Sequence, residues 1–257
     1  MVKYVDIGLN LFSSQFKGQE DEIMTRAGEA GVFVIVTGSS LKSSIKAAAS
    51  GYPFTAGIHP HDASSWDEYT AEALEGLLKG ERRPVAAGEC GLDYDRMFSP
   101  KDKQLECFEE QIKLSIRYDL PLFLHERDAA DDFYDMLKKY PEAAQRSVVH
   151  CFTGNAENVR RYLSLGCMIG ITGWICDERR NGDLKEAVKH IPVCSLLTET
   201  DGPYLLPRGI KGLKNPNVPG NVVWVLKKLA ELKNMDEEEL RLQVLDNLKK
   251  WKDRGDK

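Results

Sequence analysis

The sequence predicts an α/β fold of the (β/α)8 type, with parallel strands closed into a barrel that spans residues 1–257 as a single domain. Three observations predict it. Strand patterns alternate with helical patterns along the whole chain, the mark of a parallel sheet covered by helices. The chain has 257 residues, and barrels of about 250 residues stand as one domain. Five of the strands run into His, Glu or Asp, and a barrel gathers the C-terminal ends of its strands around one mouth. A doubly wound open sheet is the rival. No Gly-rich turn follows the first strand, so a dinucleotide site there has no support.

Short apolar runs rich in β-branched residues and bounded by turns read as buried strands, and longer runs of helical period as helices. The first strand is expected at 4–9, followed by a helix at 19–28. The second, 32–37, precedes a helix at 42–50. The third, 54–58, runs into His59-Pro60-His61 ahead of a helix at 68–79. The fourth, 85–88, stops at Glu89, and a helix follows at 101–118. The fifth, 122–125, ends on His125 before a helix at 129–139. The sixth, 147–150, ends on His150 before a helix at 155–165. The seventh lies at 167–171, with a helix at 184–189. The eighth, 196–198, leads into Glu199-Thr200-Asp201. Helices at 221–233 and 236–251 close the chain, and Asp236 with Glu239 has the spacing of a capping box.

Hydrophobic residues make up 42% and charged residues 29% of the chain, enough for a sizeable core in a globular protein. No apolar run approaches the roughly 20 residues of a membrane-spanning helix. The opening Met1-Val2-Lys3-Tyr4 lacks the basic and apolar stretches of a signal peptide. The six cysteines lack CxxC spacing and are expected as free thiols, with Cys90 and Cys151 as packing residues; the expected location is therefore cytoplasmic. A net charge of −5 argues against stable binding of long nucleic acid, but leaves room for an enzyme that grips a few phosphates.

An ionisable group at the end of a buried strand is costly unless it is paired or binds a metal. His59, His61, Glu89, His125, His150 and Asp201 all occupy such positions, which indicates one shared metal site in an enzyme. Imidazole suits zinc or manganese, whereas carboxylates suit magnesium.

The segments Gly57-Ile58-His59-Pro60-His61, Gly88-Glu89-Cys90-Gly91-Leu92-Asp93, His125-Glu126-Arg127-Asp128-Ala129, His150-Cys151-Phe152-Thr153-Gly154 and Glu199-Thr200-Asp201-Gly202-Pro203-Tyr204-Leu205 occur in this order at strand ends. Together they resemble the TatD family of metal-dependent deoxyribonucleases, within the amidohydrolase-like barrels. The resemblance runs from Asp6 to about Asn247.

It implies that Glu89, His125 and His150 ligate a divalent metal, with Mg2+ first and Mn2+ or Zn2+ as alternatives. Asp201 would bind metal and take a proton from water whose pKa the metal lowers towards about 7. Glu89 would help neutralise the developing charge, and His61 could protonate the leaving oxygen. His59 reads equally well as a buried histidine bonded to backbone. Arg127 could fork onto phosphate oxygens, while Asp93 and Glu199 could act on the ligands from behind. His190 reads as surface.

Family members often carry His-x-His at the end of strand one, where this chain has Gly8 and Asn10. Asn10 offers a neutral carbonyl, so one tight and one weaker metal site are expected.

Basic residues Arg179, Arg180, Arg208, Lys211 and Lys214 follow the last two strands, with Phe152, Trp174 and Tyr204 available to stack on unpaired bases. The expected activity is 3′-to-5′ exonuclease action on single-stranded DNA and RNA, with a role in repair. The rivals are an ester or amide hydrolase, such as an aminoacyl-tRNA deacylase, and a non-catalytic metal-binding module.

Overall fold

A computed structural model describes residues 1–253; residues 254–257, the end of the expected domain, lie outside it. In chain order the elements begin β1 (Tyr4–Leu9), α1 (Glu20–Glu29), β2 (Val32–Val36), α2 (Leu41–Ala49), β3 (Thr55–Ala56) and α3 (Glu68–Lys79). They continue with β4 (Ala86–Asp93), α4 (Lys101–Arg117), β5 (Leu122–Arg127), α5 (Ala130–Lys139), the single turn α6 (Pro141–Ala144) and β6 (Val148–Val149). The last third holds α7 (Ala156–Ser164), β7 (Met168–Ile171), α8 (Gly182–His190), β8 (Leu196–Thr198), α9 (Val222–Lys233) and α10 (Glu237–Asp253). Strand and helix alternate eight times, as the sequence predicts.

The chain divides into two compact units, each assembled from separate stretches. One holds residues 1–36, 151–163 and 168–250. In it β1 pairs in parallel with β2, and β7 with β8. A parallel bridge from Leu9 to Gly202 and a bond from Thr198 Oγ1 to the Val5 carbonyl join β8 to β1. The order is therefore β7-β8-β1-β2. Helix α9 buries Val222, Val225, Leu226 and Leu229 and packs on β1 and β8. Asn247 on α10 donates to the carbonyls of Val193 and Leu196, fixing the start of β8. Asp236 Oδ1 accepts from the amides of Glu238 and Glu239, the Asp236 half of the expected capping box.

The other unit holds residues 37–150, 164–167 and the chain from Trp251. Here β3, β4, β5 and β6 pair in that order, all in parallel. The side chains of β4 are buried along its whole length, as expected of a parallel strand covered on both faces. Helices α2, α4 and α5 pack on β3, β4 and β5. Ser40 and Ser43 form a reciprocal capping box on α2, and Asp67 Oδ1 accepts the Thr70 amide at the start of α3.

The main difference from the expected elements is at β4. Its pattern breaks at Gly88 in the sequence, yet the strand runs on to Asp93, with a register shift against β5 between Ala87 and Cys90. Gly88 and Gly91 take φ values of 129° and 144°. A Cβ on Gly91 would lie 1.9 Å from the His125 carbonyl oxygen. Glycine is thus required for this close approach, and the irregularity re-aims Glu89, which lies between the two. β5 likewise continues two residues past His125.

Candidate metal centre and nucleic-acid site

The unit built on β3 to β6 brings four histidines and two carboxylates together. Glu89 comes from β4 and His125 from β5, while His150 follows β6 directly. The His150 amide donates to the Leu124 carbonyl, and its ring stacks on Phe123 with centroids 4.4 Å apart. His59 caps the 3-10 turn Pro60–Ser65.

Three imidazole nitrogens converge on one carboxylate oxygen. Glu89 Oε1 lies 2.8 Å from His150 Nε2, 3.1 Å from His125 Nδ1 and 3.3 Å from His59 Nε2. Burial pushes the Glu89 carboxyl up, but the surrounding His59, His150 and His125 outweigh it and hold the group well below its ordinary range. Burial also drives His59 down to about 4. His59 Nδ1 accepts the His61 amide at 3.0 Å, so in the neutral ring the proton sits on Nε2, which faces His125 Nδ1 at 3.2 Å and Glu89 Oε1 at 3.3 Å. That makes His59 a donor shared between Glu89 and His125.

The donor set fits a divalent cation. Ligand atoms of Glu89 and His125, with His59 beside them, lie within 4.8 Å of one another, and His150 Nε2 lies 2.8 Å from Glu89 Oε1. His125 Nε2 is buried without a hydrogen-bond partner; Asp93 Oδ2, 3.4 Å away, lies on that side of the ring. A proton on Nε2 leaves the Nδ1 lone pair directed at the cluster, as in carboxylate–histidine–metal triads. Burial lowers the basicity of His125, but the Asp93 and Glu89 carboxylates beside it reverse this and raise its pKa.

Asp93 acts on two histidines. Its Oδ2 also lies 2.7 Å from His61 Nε2, and its Oδ1 accepts the amides of Asp95 and Arg96. Burial would raise the Asp93 carboxyl, but these bonds hold it far below the usual range. His61 is about one-third exposed, so a partly open imidazole is oriented by a carboxylate beside the cluster. Phe98, 66% exposed, meets the His61 ring edge-on at 4.8 Å. The sequence gives no signal for Phe98, which lies in a loop without periodicity. Arg127 pairs with Asp95 at 2.9 Å and is 43% exposed.

The other expected residues lie in the first unit. Asp201 follows β8 with φ of 52°, and its Oδ1 accepts from Asn10 Nδ2 at 2.8 Å. Glu199, fully buried, accepts the Cys151 amide at 2.5 Å. Asp6, also fully buried, accepts the Thr200 amide at 2.8 Å and faces the Thr200 hydroxyl at 2.5 Å. Asn217 Nδ2 donates to the carbonyls of Thr200 and Tyr204, holding the segment around Asp201.

Arg179 and Arg208 both pair with Asp177. Tyr204 is 47% exposed, and Trp174 has Arg180 over one ring face. Phe152 corrects the expectation that it could stack on bases: it is 2% exposed and packs edge-on against Tyr162, so its apolar ring belongs to the core. His190 is exposed beside Arg160.

The chain matches the family described as TatD related DNase over residues 5–252. It belongs to that family. It is 43% identical over 252 residues to the 3′-5′ ssDNA/RNA exonuclease TatD of Klebsiella pneumoniae, covering 95% of each chain. It is 44% identical over 239 residues to the protein of the same name from Cronobacter sakazakii, covering 90% of each. Among solved structures, a TatD homologue from Escherichia coli superposes with a TM-score of 0.86 at 30% identity, over 95% of this chain and 96% of that one. A TatD family hydrolase from Entamoeba histolytica gives a TM-score of 0.85 at 26% identity, over 97% and 98%. The fold class is the TIM-type α/β barrel of these proteins, and this TatD family member is a hydrolase of phosphodiester bonds. No helix among the described residues is long and apolar enough to cross a membrane.

Proposed function

We propose that this chain is a divalent-cation-dependent 3′-to-5′ exonuclease of single-stranded DNA and RNA, working in the cytoplasm as one domain. The observation that carries the reading is the convergence of His125, His150 and His59 on Glu89 Oε1, in a chain at least 40% identical to relatives named for that activity.

Glu89, His125 and His150 hold the cation, Mg2+ with Mn2+ or Zn2+ as alternatives, at one tight site; Asn10 contributes to a second, weaker one. When bound, the cation supplies Lewis acidity and charge neutralisation. Asp201, placed after β8 and bonded through Oδ1 to Asn10, takes the proton of the attacking water. His61, with Nε2 on Asp93, presents Nδ1 to donate a proton to the departing 3′-oxygen. Arg127 grips phosphate oxygens, and Asp93 keeps the two imidazoles in place. Breaking the bond to the 3′-oxygen leaves a nucleoside 5′-monophosphate and a new 3′-hydroxyl end.

A substrate panel tests this. Purified protein with Mg2+ should degrade 5′-labelled single-stranded DNA and RNA, spare blunt duplex, and leave aminoacyl-tRNA esterified. Ester cleavage of aminoacyl-tRNA without strand degradation would replace the exonuclease reading with that of a deacylase.

A further inference from the structure

In the unit that carries Asp201, three guanidinium groups meet on one carboxylate. The Asp177 side chain is 4% exposed, and its Oδ2 lies 2.7 Å from Arg179 Nη2, 3.2 Å from Arg180 Nη2 and 3.4 Å from Arg208 Nε. Arg179 is bidentate, its Nε reaching Oδ1 at 2.8 Å. One carboxylate offsets one of three cations, so the cluster remains strongly positive. The three arginine side chains are each more than half exposed, at 62%, 52% and 59%. They are held from below and open above.

Beside them lies a cavity of about 370 Å³, lined by Trp174, Arg180 and Arg208 together with Leu205, Ile210 and Leu213. Its size is at the lower end for small-molecule sites, and its mix of apolar wall and a few charges is typical of them. The Arg180 guanidinium carbon lies 4.2 Å from the centre of the Trp174 ring, a cation–π contact that offers a base both an aromatic ring and a cation to stack on. Planar forks of this kind match phosphate oxygens.

We propose that this pocket binds one nucleotide of the single strand, with its phosphate on Arg180 and Arg208 and its base against the Trp174–Arg180 stack. Asp177 is a positioning residue. It fixes three long side chains during folding, so their ordering is not charged against binding. The choice of a strand nucleotide as ligand rests on the exonuclease reading; the pocket's affinity for a nucleotide does not.

The test uses the whole protein stripped of metal with EDTA, so that nothing is hydrolysed. A fluorescently labelled thymidylate pentamer is titrated by anisotropy, and thymidine 5′-monophosphate by calorimetry. Arg180→Gln and Arg208→Gln should each weaken the pentamer about tenfold, the scale of one charge-assisted hydrogen bond. Asp177→Asn is the sharper variant. It removes a negative charge, which by charge alone would tighten binding of a polyanion; the positioning role predicts about tenfold weaker binding, with the loss in turnover falling on KM.

Equal or tighter binding by Asp177→Asn overturns the positioning role. Should that variant not fold, the two surface arginine variants decide, and wild-type affinity in both overturns the pocket. The monophosphate arm separates this proposal from the exonuclease reading. Binding that Arg208→Gln abolishes supports the pocket even where no strand is degraded, whereas degradation with unchanged affinities overturns the pocket alone.

Discussion

Asn10 Nδ2 donates to Asp201 Oδ1 at 2.8 Å, across 191 residues of sequence. The Asn10 amide in turn donates to the Gly202 carbonyl, so the end of β1 grips the turn after β8 at two points. Asn10 thus supplies an N–H donor to the Asp201 carboxylate. Asn10→Ala should therefore lower kcat about 10- to 100-fold with little change in KM, the usual cost of losing a group that orients an essential carboxylate. Steady-state kinetics on a labelled single strand checks this; an unchanged kcat would leave Asn10 without a role.

Removing Glu89 or His150 removes the cluster's centre. Glu89→Gln and His150→Ala should each abolish tight binding of one divalent ion and all hydrolysis, while the far-ultraviolet circular dichroism stays that of the wild type. Metal content after dialysis, measured by mass spectrometry, is the direct readout. Full occupancy in His150→Ala would exclude it as a ligand.

Phe98 offers its ring to solvent beside His61. Stacking on a base is worth about 1–3 kcal/mol, so Phe98→Ala should weaken single-strand binding by that amount, and Phe98→Trp should restore it. Equal affinity in all three proteins would assign the ring to packing alone.

Asp6 gives stability a pH dependence. Burial pushes its carboxyl from 3.8 up to about 8, against opposing bonds from Thr200 and Gly8. Between those values the folded protein binds one proton more than the unfolded chain, so the slope of stability with pH is negative. The contribution is full below about pH 4 and lost as pH rises through about 8. Urea unfolding at pH 5 and 8 should show wild type losing stability relative to Asp6→Asn; parallel behaviour of the two would contradict the shift.

Much of this was legible in the sequence because buried strands are short and apolar, and their ends carry the costly groups. Glu89, His125 and His150 stand out as ionisable residues where burial demands a partner. The extent of β4 was hidden because Gly88 and Gly91 end the apolar pattern without ending the strand. The donor role of Asn10 needs a contact with a residue nearly two hundred positions away, and no local pattern encodes it. Phe98 and Phe152 show the same limit in reverse. Both are aromatics near functional motifs, and only the fold exposes the first and buries the second.

In the proposed function, a cation held by Glu89, His125 and His150 drives removal of nucleotides from a free 3′ end. The most direct measurement follows a 5′-labelled linear single strand and its covalently closed circular form, each with Mg2+, with EDTA, and with Mg2+ restored. The expected result is a ladder receding from the 3′ end of the linear strand, halted by EDTA and resumed with Mg2+, and an intact circle throughout. Efficient cutting of the circle, or digestion that continues in EDTA, would contradict it.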